Sequence, residues 1–136
     1  MYQQQMVMTR PAEAYKKQSA LTATGVDLII MLYDALKKNM VLGRRNIEKK
    51  DIQGAHNHLI KAQLIVEELL NCLDLSFPIS GELMRLYDYM LERLRTANMK
   101  KDPEPIADAM KVVEELREAW MEISAKNRGN VQLGDD

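Results

Sequence analysis

The stretch from Thr22 to Ile47 constrains the fold most, because apolar residues recur along it at helical spacing over a wide arc. Thr24 and Asp27 lie three residues apart at its start, which predicts a capping box at the beginning of a helix. Two apolar lines follow, one with Ile29, Tyr33, Leu36, Met40 and Ile47, the other with Leu28, Met31, Leu32, Ala35 and Leu42. Because a helix with so wide an apolar arc is covered on more than one side, we expect it to contact the core and something else.

Local residue patterns predict where three further helices begin. Asp51 is expected to cap a second helix that runs to about Leu73. Pro78 breaks the chain after it, and Ser80 is expected to cap the third helix. Asp102 followed by Pro103 is a typical start for the fourth helix.

Each of these three helices has an apolar line at spacings of three and four, which we expect to form the core. The second line contains Ile52, Ala55, Leu59, Ala62, Val66, Leu69 and Leu73. The third contains Leu83, Leu86, Met90, Leu94 and Ala97, and the fourth contains Ile106, Met110, Val113, Leu116, Trp120 and Ile123. Four such helices joined mostly by short links predict an all-α fold, an antiparallel four-helix bundle.

The two ends of the chain differ from this helical region. Residues 1–20 have no sustained apolar period and contain Pro11, so we expect a mobile or short-helical N-terminal segment. Residues 127–136 are polar and contain two glycines, which predicts a disordered tail. We therefore expect one bundle domain over residues 1–126.

Composition excludes several classes of partner and location. The net charge of −1 gives no strong field for nucleic acid, and we expect the basic second half of the first helix to be solvated. No apolar run approaches the length of a membrane span, so we expect no membrane insertion. With one cysteine, Cys72, and no pattern typical of a signal peptide, the chain is expected in the cytoplasm.

Residue patterns also argue against bound metal or cofactors. Di-metal bundles use Glu-x-x-His pairs, and no Glu here has His at the third following position. His56 and His58 point to different sides of their helix and cannot share a metal. The chain has no glycine-rich phosphate loop and no nucleophile elbow, so we expect no cofactor and no enzyme activity.

Some apolar residues remain outside the predicted core lines. Ile60 and Leu64 project more than about 120° away from the core line of the second helix, at 100° per residue. On the third helix, Met84 and Leu91 are expected on one flank with Tyr87 between them. Together with the second apolar line of the first helix, these residues predict an exposed apolar groove.

One alternative function rests on His58. Histidine phosphotransfer domains are four-helix bundles of this size, and their phosphorylated histidine is followed by Lys three residues later, as His58 is by Lys61. Those domains then carry a glycine that admits the receiver domain, where this chain has Ala62. A scaffold bundle without chemistry is the other alternative.

An ordered set of short motifs resembles the flagellar secretion chaperone FliS family. The motifs occur in the family's order over about residues 12–123. They are Ala14-Tyr15, Thr22-Ala23-Thr24, Met31-Leu32-Tyr33-Asp34, Lys61-Ala62-Gln63 with Ile65, Leu73-Asp74, Leu86-Tyr87-Asp88-Tyr89-Met90, Arg93-Leu94, Ala97-Asn98 and Leu116-Arg117-Glu118-Ala119-Trp120. The chain departs from the family pattern at Gly25, where many members have Pro, and in the shorter stretch Ser76–Gly81.

The resemblance implies a cytoplasmic export chaperone for flagellin. In that family the disordered C-terminal region of flagellin wraps the bundle, and the loaded complex docks on the cytoplasmic domain of the flagellar export gate. The N-terminal segment, with the residue matching Tyr15, covers the groove in the free chaperone, and weak self-association is a further expectation. The residues expected to bind partners are Tyr15, Ile29, Tyr33, Ile60, Leu64, Ile65, Met84, Tyr87, Leu91 and Asn98.

Overall fold

A computed structural model describes the backbone of residues 25–135 and the side chains of residues 25–126. Its helices are α1 (Gly25–Glu48), α2 (Ile52–Asn71), α3 (Ile79–Lys100) and α4 (Glu104–Asp135). Consecutive helices pack against each other, and α4 also packs against α1, so the four helices close into a ring. The predicted all-α four-helix bundle is confirmed. The predicted cap at Thr24 and the predicted mobile segment 1–20 lie outside the described residues.

Polar contacts between helices show that the bundle is antiparallel. Residues that come later along α1 contact residues that come earlier along α4. Ser124 Oγ donates to Asp27 Oδ1 at 2.6 Å, Arg117 Nε to Asp34 Oδ1 at 2.6 Å, and Lys37 Nζ lies 3.9 Å from Glu114 Oε2. Short links between consecutive helices impose the same arrangement on the other pairs.

The link between α1 and α2 follows local backbone rules. Lys50 takes a left-handed conformation, with φ of 62°, and the amide of Asp51 donates back to the Asn46 carbonyl oxygen at 2.8 Å. This closes the end of α1 as a left-handed cap does. Asp51 Oδ1 then accepts from the Gly54 amide at 3.0 Å, which confirms the predicted cap of α2.

The prediction that Ser80 caps the third helix is wrong. α3 begins at Ile79, and Pro78, whose φ of −58° already suits a helix, occupies the cap position. Ser80 is buried inside the first turn, and its hydroxyl donates to the Asp74 carbonyl oxygen at 2.5 Å. The serine therefore ties the preceding loop to the helix instead of capping it.

The start of α4 lies close to the predicted one at Asp102 and Pro103. Lys101 ends α3 in a left-handed conformation with φ of 51°. Asp102 Oδ1 accepts a hydrogen bond from the Glu104 amide at 3.0 Å, so its carboxylate satisfies a free donor at the helix start. The backbone of α4 continues as helix to Asp135, past residue 127. The disordered tail stays a prediction.

The core is formed mainly by the predicted lines. Its largest fully buried side chains are Tyr33, Tyr87, Leu36, Met40, Leu59, Leu69, Met90, Leu94, Ile106, Val66 and Val113. Two predicted core residues are instead exposed, Ile52 at 55% and Ile123 at 41%. Ile52 is the first residue of α2, at one end of the bundle, where no further turn of helix covers it.

The length and apolarity of the helices decide whether one of them could span a membrane. In the part of the chain that the structure describes, no helix is long and apolar enough to cross a lipid bilayer.

Candidate functional site

The centre of the bundle holds three aromatic side chains from three helices. Tyr33 on α1 and Tyr87 on α3 meet edge to face, with ring centroids 6.5 Å apart and hydroxyl oxygens 2.6 Å apart. Trp120 on α4 donates from Nε1 to the Tyr33 hydroxyl at 2.9 Å. Because α1 and α3 lie diagonally across the ring, this chain of hydrogen bonds fixes the helices relative to one another.

Burial changes the acidity of both phenols. It is the main reason that the pKa of Tyr33 is raised, although hydrogen bonds from Tyr87 and Trp120 oppose the shift. The pKa of Tyr87 is raised further, first by burial and then by the nearby Tyr33. Both phenols stay neutral at physiological pH, so their hydroxyls are structural hydrogen-bonding groups.

A second polar cluster joins α2 to α3. The side-chain amide of Asn98, which is 8% exposed, receives a hydrogen bond from Lys101 Nζ at its Oδ1, at 2.7 Å. That contact turns Nδ2 toward His56 Nδ1, 3.1 Å away, so the amide donates and the imidazole nitrogen accepts. Asn98, predicted to bind a partner, is therefore already engaged within the bundle.

His58 belongs to a third polar cluster, at the link between α1 and α2. Asn46 donates from Nδ2 to Asp51 Oδ2 at 3.1 Å, which leaves its Oδ1 facing His58 Nδ1 at 2.7 Å. The Gly54 carbonyl oxygen is also 3.1 Å from that nitrogen, so Nδ1 is the donor. Ala62, at the position of the phosphotransfer glycine, is completely buried. Both features give His58 a structural role in holding the link.

The predicted partner-binding residues fall into three groups by burial. Four are buried, two are half-buried and pack on the core cluster, and three are half-buried outside it. The buried residues are Tyr33, Tyr87, Leu91 and Asn98. Ile29 and Ile65 pack on the core, whereas Ile60, Leu64 and Met84 are the three outside it. Tyr15 lies outside the described residues.

Two of these placements correct the expected position on α3. Tyr87 and Leu91 were expected on an open flank, but they are 1% and 5% exposed. The flank is closed because α2 lies against it, as the contact of His56 with Asn98 and the pairing of Glu67 with Arg95 at 3.8 Å show. Met84, on the same flank, is half-buried, so Ile60, Leu64 and Met84 are the predicted residues that remain partly exposed outside the core cluster.

Sequence reasoning missed an exposed apolar loop between α2 and α3. Leu75, Phe77 and Ile79 are 70%, 59% and 58% exposed. Phe77 is the one phenylalanine of the chain. The sequence did contain one indication of this exposed surface. Apolar residues alternate with Ser76 and Pro78 in a short segment between two helices.

Two features of the described residues bear on what the bundle could bind. No group of three or more His, Cys, Asp or Glu side chains that could hold a metal ion occurs among residues 25–126. The outer face of α2 presents half-buried Ile60 and Leu64, and Met84 on α3 is half-buried too. An apolar strip on a preformed helical bundle is typical of proteins that bind an amphipathic segment of a partner. The fold defines the class of antiparallel four-helix bundles.

Comparison with known proteins identifies the family. Residues 8–127 match the family model described as Flagellar protein FliS. The chain is 35% identical over 123 residues to the flagellar secretion chaperone FliS of Bacillus subtilis (strain 168), covering 90% of this chain and 92% of the relative. The chain belongs to the FliS family, which is a family of chaperones and not of enzymes.

Two further relatives carry the same description. The flagellar secretion chaperone FliS of Salmonella typhimurium is 30% identical over 118 residues, covering 85% of this chain and 87% of the relative. That of Vibrio cholerae is 30% identical over 117 residues, covering 82% and 86%. The similarity thus extends over nearly the whole length of each relative.

Proposed function

We propose that this protein is a cytoplasmic export chaperone for flagellin. It binds the disordered C-terminal region of flagellin, prevents premature polymerisation and delivers the client to the cytoplasmic domain of the flagellar export gate. Membership of the FliS family carries the proposal, because its relatives are described as flagellar secretion chaperones. The placement of the apolar strip adds physical support.

The binding surface consists of Ile60, Leu64 and Met84, the three predicted residues that are half-buried outside the core cluster. They line the outside of α2 and the adjacent flank of α3. A client helix can lay its apolar face along this strip with contacts repeating every three or four residues. Met84 adds a flexible, polarisable side chain that adapts to an imperfectly matched client.

Energetics explain why the client must cover more than these three residues. A disordered segment loses conformational entropy when it folds on a surface, which costs about 2–5 kcal/mol of the gross interaction energy. Association also costs about 4–15 kcal/mol in lost translational and rotational freedom. Each large apolar side chain contributes about 1.5–3 kcal/mol when fully buried. A long client segment that wraps the bundle offsets the ordering cost and still permits release.

Isothermal titration of the protein with the C-terminal segment of flagellin tests the proposal. We expect saturable binding with a negative heat-capacity change and a gain in helical circular dichroism, because apolar surface is buried as the client folds. Binding without either change contradicts folding of the client on the apolar strip. Absence of binding contradicts the proposed chaperone function.

A charge placed in the strip locates the binding surface. Leu64→Asp is expected to weaken binding at least about tenfold, since the carboxylate would lose water against the client's apolar face. Ala107→Asp, an exposed position on α4, adds the same charge elsewhere and should leave the affinity unchanged. If both variants bind alike, the client lies on another face.

A further inference from the structure

The second half of α1 carries a concentration of positive charge. Residues 37–50 include six Lys and Arg and one carboxylate, Glu48, although the whole protein has a net charge of −1. Arg45 and Lys49 lie at the C-terminal end of α1, where cations interact favourably with the helix dipole. Lys38 lies almost three turns before that end, beyond the reach of this effect. The helix dipole therefore accounts for only part of the cluster.

Three of these cations share the outer face of α1 with two aliphatic side chains. At roughly 100° per residue, Lys38, Arg45 and Lys49 point within about 40° of one another. The Lys49 amide donates to the Arg45 carbonyl oxygen at 3.0 Å, so the helical spacing extends to Lys49. Val41 and Leu42 flank the cations, are half-buried and lie outside the core cluster. We call these five residues the α1 face.

The α1 face points away from the rest of the bundle. Leu36 and Met40, two residues to either side of Lys38, are completely buried. At roughly 100° per residue, Lys38 therefore points about 160° away from each of them. Among residues 25–126, none of the three cations of the face forms an ion pair, whereas the adjacent Lys37 lies 3.9 Å from Glu114. The described part of the bundle leaves the charge of the α1 face unneutralised.

The carboxylates nearest to the α1 face do not cancel its charge. Asp34, one turn before Lys38, accepts a hydrogen bond from Arg117 Nε at 2.6 Å. Asp51 caps the start of α2. Glu48 is exposed and lies about 80° around the helix from Lys38, at the edge of the face. Three cations against one carboxylate at the edge give the face a positive local charge.

We propose that the α1 face docks an acidic amphipathic helix of a partner protein. Glu and Asp side chains of that helix lie against the three cations, and its apolar side chains bury Val41 and Leu42. The cations recur at spacings of seven and four residues, so carboxylates at the same spacings on an aligned helix face them. The α1 face lies on a different helix from the apolar strip, so the inference does not depend on the proposed client.

Nucleic acid and anionic membranes fit the α1 face less well than an acidic helix does. Both attract proteins through charge summed over a wide surface, and a net charge of −1 provides no such field. Aliphatic Val41 and Leu42 match the apolar side chains of a helix better than they match phosphates. A partner helix requires positive charge only along its contact, which is about 16 Å from Lys38 to Lys49 at 1.5 Å per residue.

Binding of a synthetic acidic peptide to the full chain tests the proposal. The peptide repeats the heptad Leu-Glu-Ala-Ala-Leu-Glu-Ala, which places Leu and Glu together on one face of a helix. Fluorescence anisotropy of the labelled peptide should show saturable binding at about 0.01 M salt. Binding should weaken at about 0.15 M, because the Debye length falls from about 30 Å to about 8 Å.

Two altered peptides separate the two parts of the contact. Replacing every Glu of the peptide by Gln removes its charge, and replacing every Leu by Ser removes its apolar side chains. Each change should weaken binding at least about tenfold. The proposal is overturned if the original peptide does not bind at low salt, or if either altered peptide binds as tightly as the original.

Charge reversal at two sets of positions locates the contact. The test variant reverses the three cations of the α1 face, Lys38→Glu, Arg45→Glu and Lys49→Glu. The control variant makes the same change in net charge elsewhere, Lys100→Glu, Lys111→Glu and Lys126→Glu. All six positions are exposed, so both variants should fold, which circular dichroism and thermal melts verify. At about 0.15 M salt the test variant should bind the peptide at least about tenfold more weakly, and the control variant like the wild type. Equal weakening in both variants contradicts a contact at the α1 face.

Two further measurements detect a different occupant of the α1 face. Double-stranded DNA or phosphatidylserine vesicles that bind more tightly than the peptide at about 0.15 M salt would assign the face to a polyanion. A sedimentation coefficient that rises with the concentration of the wild type, but not of the test variant, would assign it to a second copy of the chain. Either result overturns the proposal.

Discussion

At the residue scale, the Tyr33 hydroxyl is the polar centre of the molecule. It lies 2.6 Å from the Tyr87 hydroxyl and accepts the Trp120 indole N–H at 2.9 Å. A buried polar group without a partner loses its hydration and gains nothing in return. The three side chains are hydrogen-bond partners of one another. The Tyr33 hydroxyl bonds both other side chains, whereas the Tyr87 hydroxyl bonds Tyr33, so the two hydroxyls contribute differently to stability.

Removing the two hydroxyls one at a time should reveal this difference. Tyr33→Phe leaves both the indole N–H and the Tyr87 hydroxyl without a partner, so the free energy of unfolding should fall by about 2–3 kcal/mol. Tyr87→Phe leaves Tyr33 still bonded to Trp120 and should cost about 1 kcal/mol. Urea unfolding of both variants measures which substitution lowers the free energy of unfolding more. An equal or reversed cost would show that Tyr33 is not the shared partner.

Alkaline pH should weaken the fold through the same pair. Because burial raises the pKa of Tyr33 and Tyr87, the unfolded chain releases these protons first as the pH rises above about 10. The unfolded chain then binds fewer protons than the folded one, so the free energy of unfolding falls with rising pH. The stabilisation is fully present below about pH 10 and is lost as the pH rises toward the folded-state pKa values.

The double variant Tyr33→Phe, Tyr87→Phe isolates this effect. Its free energy of unfolding should fall less between about pH 9 and about pH 11 than that of the wild type, since the shifted groups are gone. Tyr89→Phe, at an exposed position, should behave like the wild type. Urea titrations at both pH values supply the comparison, and identical losses in all three proteins would rule out the two buried phenols as the cause.

At the scale of the helix, α2 serves two surfaces at once. Its core side, from Ala55 through Val66 to Leu69, is completely buried. Leu64 is half-buried and, at about 100° per residue, points almost directly away from Val66. The same helix therefore holds the bundle together and forms the outer strip.

Asp substitutions at two neighbouring positions of α2 should separate these roles. Val66→Asp buries an unpaired carboxylate, a cost comparable to the total stability of about 5–15 kcal/mol, and should unfold the protein. Leu64→Asp should cost about 1 kcal/mol, a typical value for a single substitution. Thermal melts decide the matter. Similar melting of the two variants would mean that Leu64 also belongs to the core.

At the scale of the whole molecule, residues 1–24 join the bundle at Gly25. We propose that Tyr15 belongs to a movable cover over the client surface, and that added flagellin displaces it. Hydrogen exchange over residues 1–20 should then change when the C-terminal segment of flagellin is added, while exchange in the core stays constant. Identical exchange with and without client would contradict the cover.

Local patterns in the sequence determined the helices and most of the core. Capping and periodicity act within a few residues of one another, which is why Asp51 and the core line around Val66 were predictable. The start of α3 was not predictable in this way, because Pro78, two residues before Ser80, takes the cap position instead. The ordered family motifs likewise required only the sequence.

Only the tertiary structure decided which apolar residues stay exposed. Tyr87 and Leu91 are buried because α2 closes the flank of α3, a contact between residues far apart in the chain. Such arrangements depend on helix register and rotation, which local patterns do not specify.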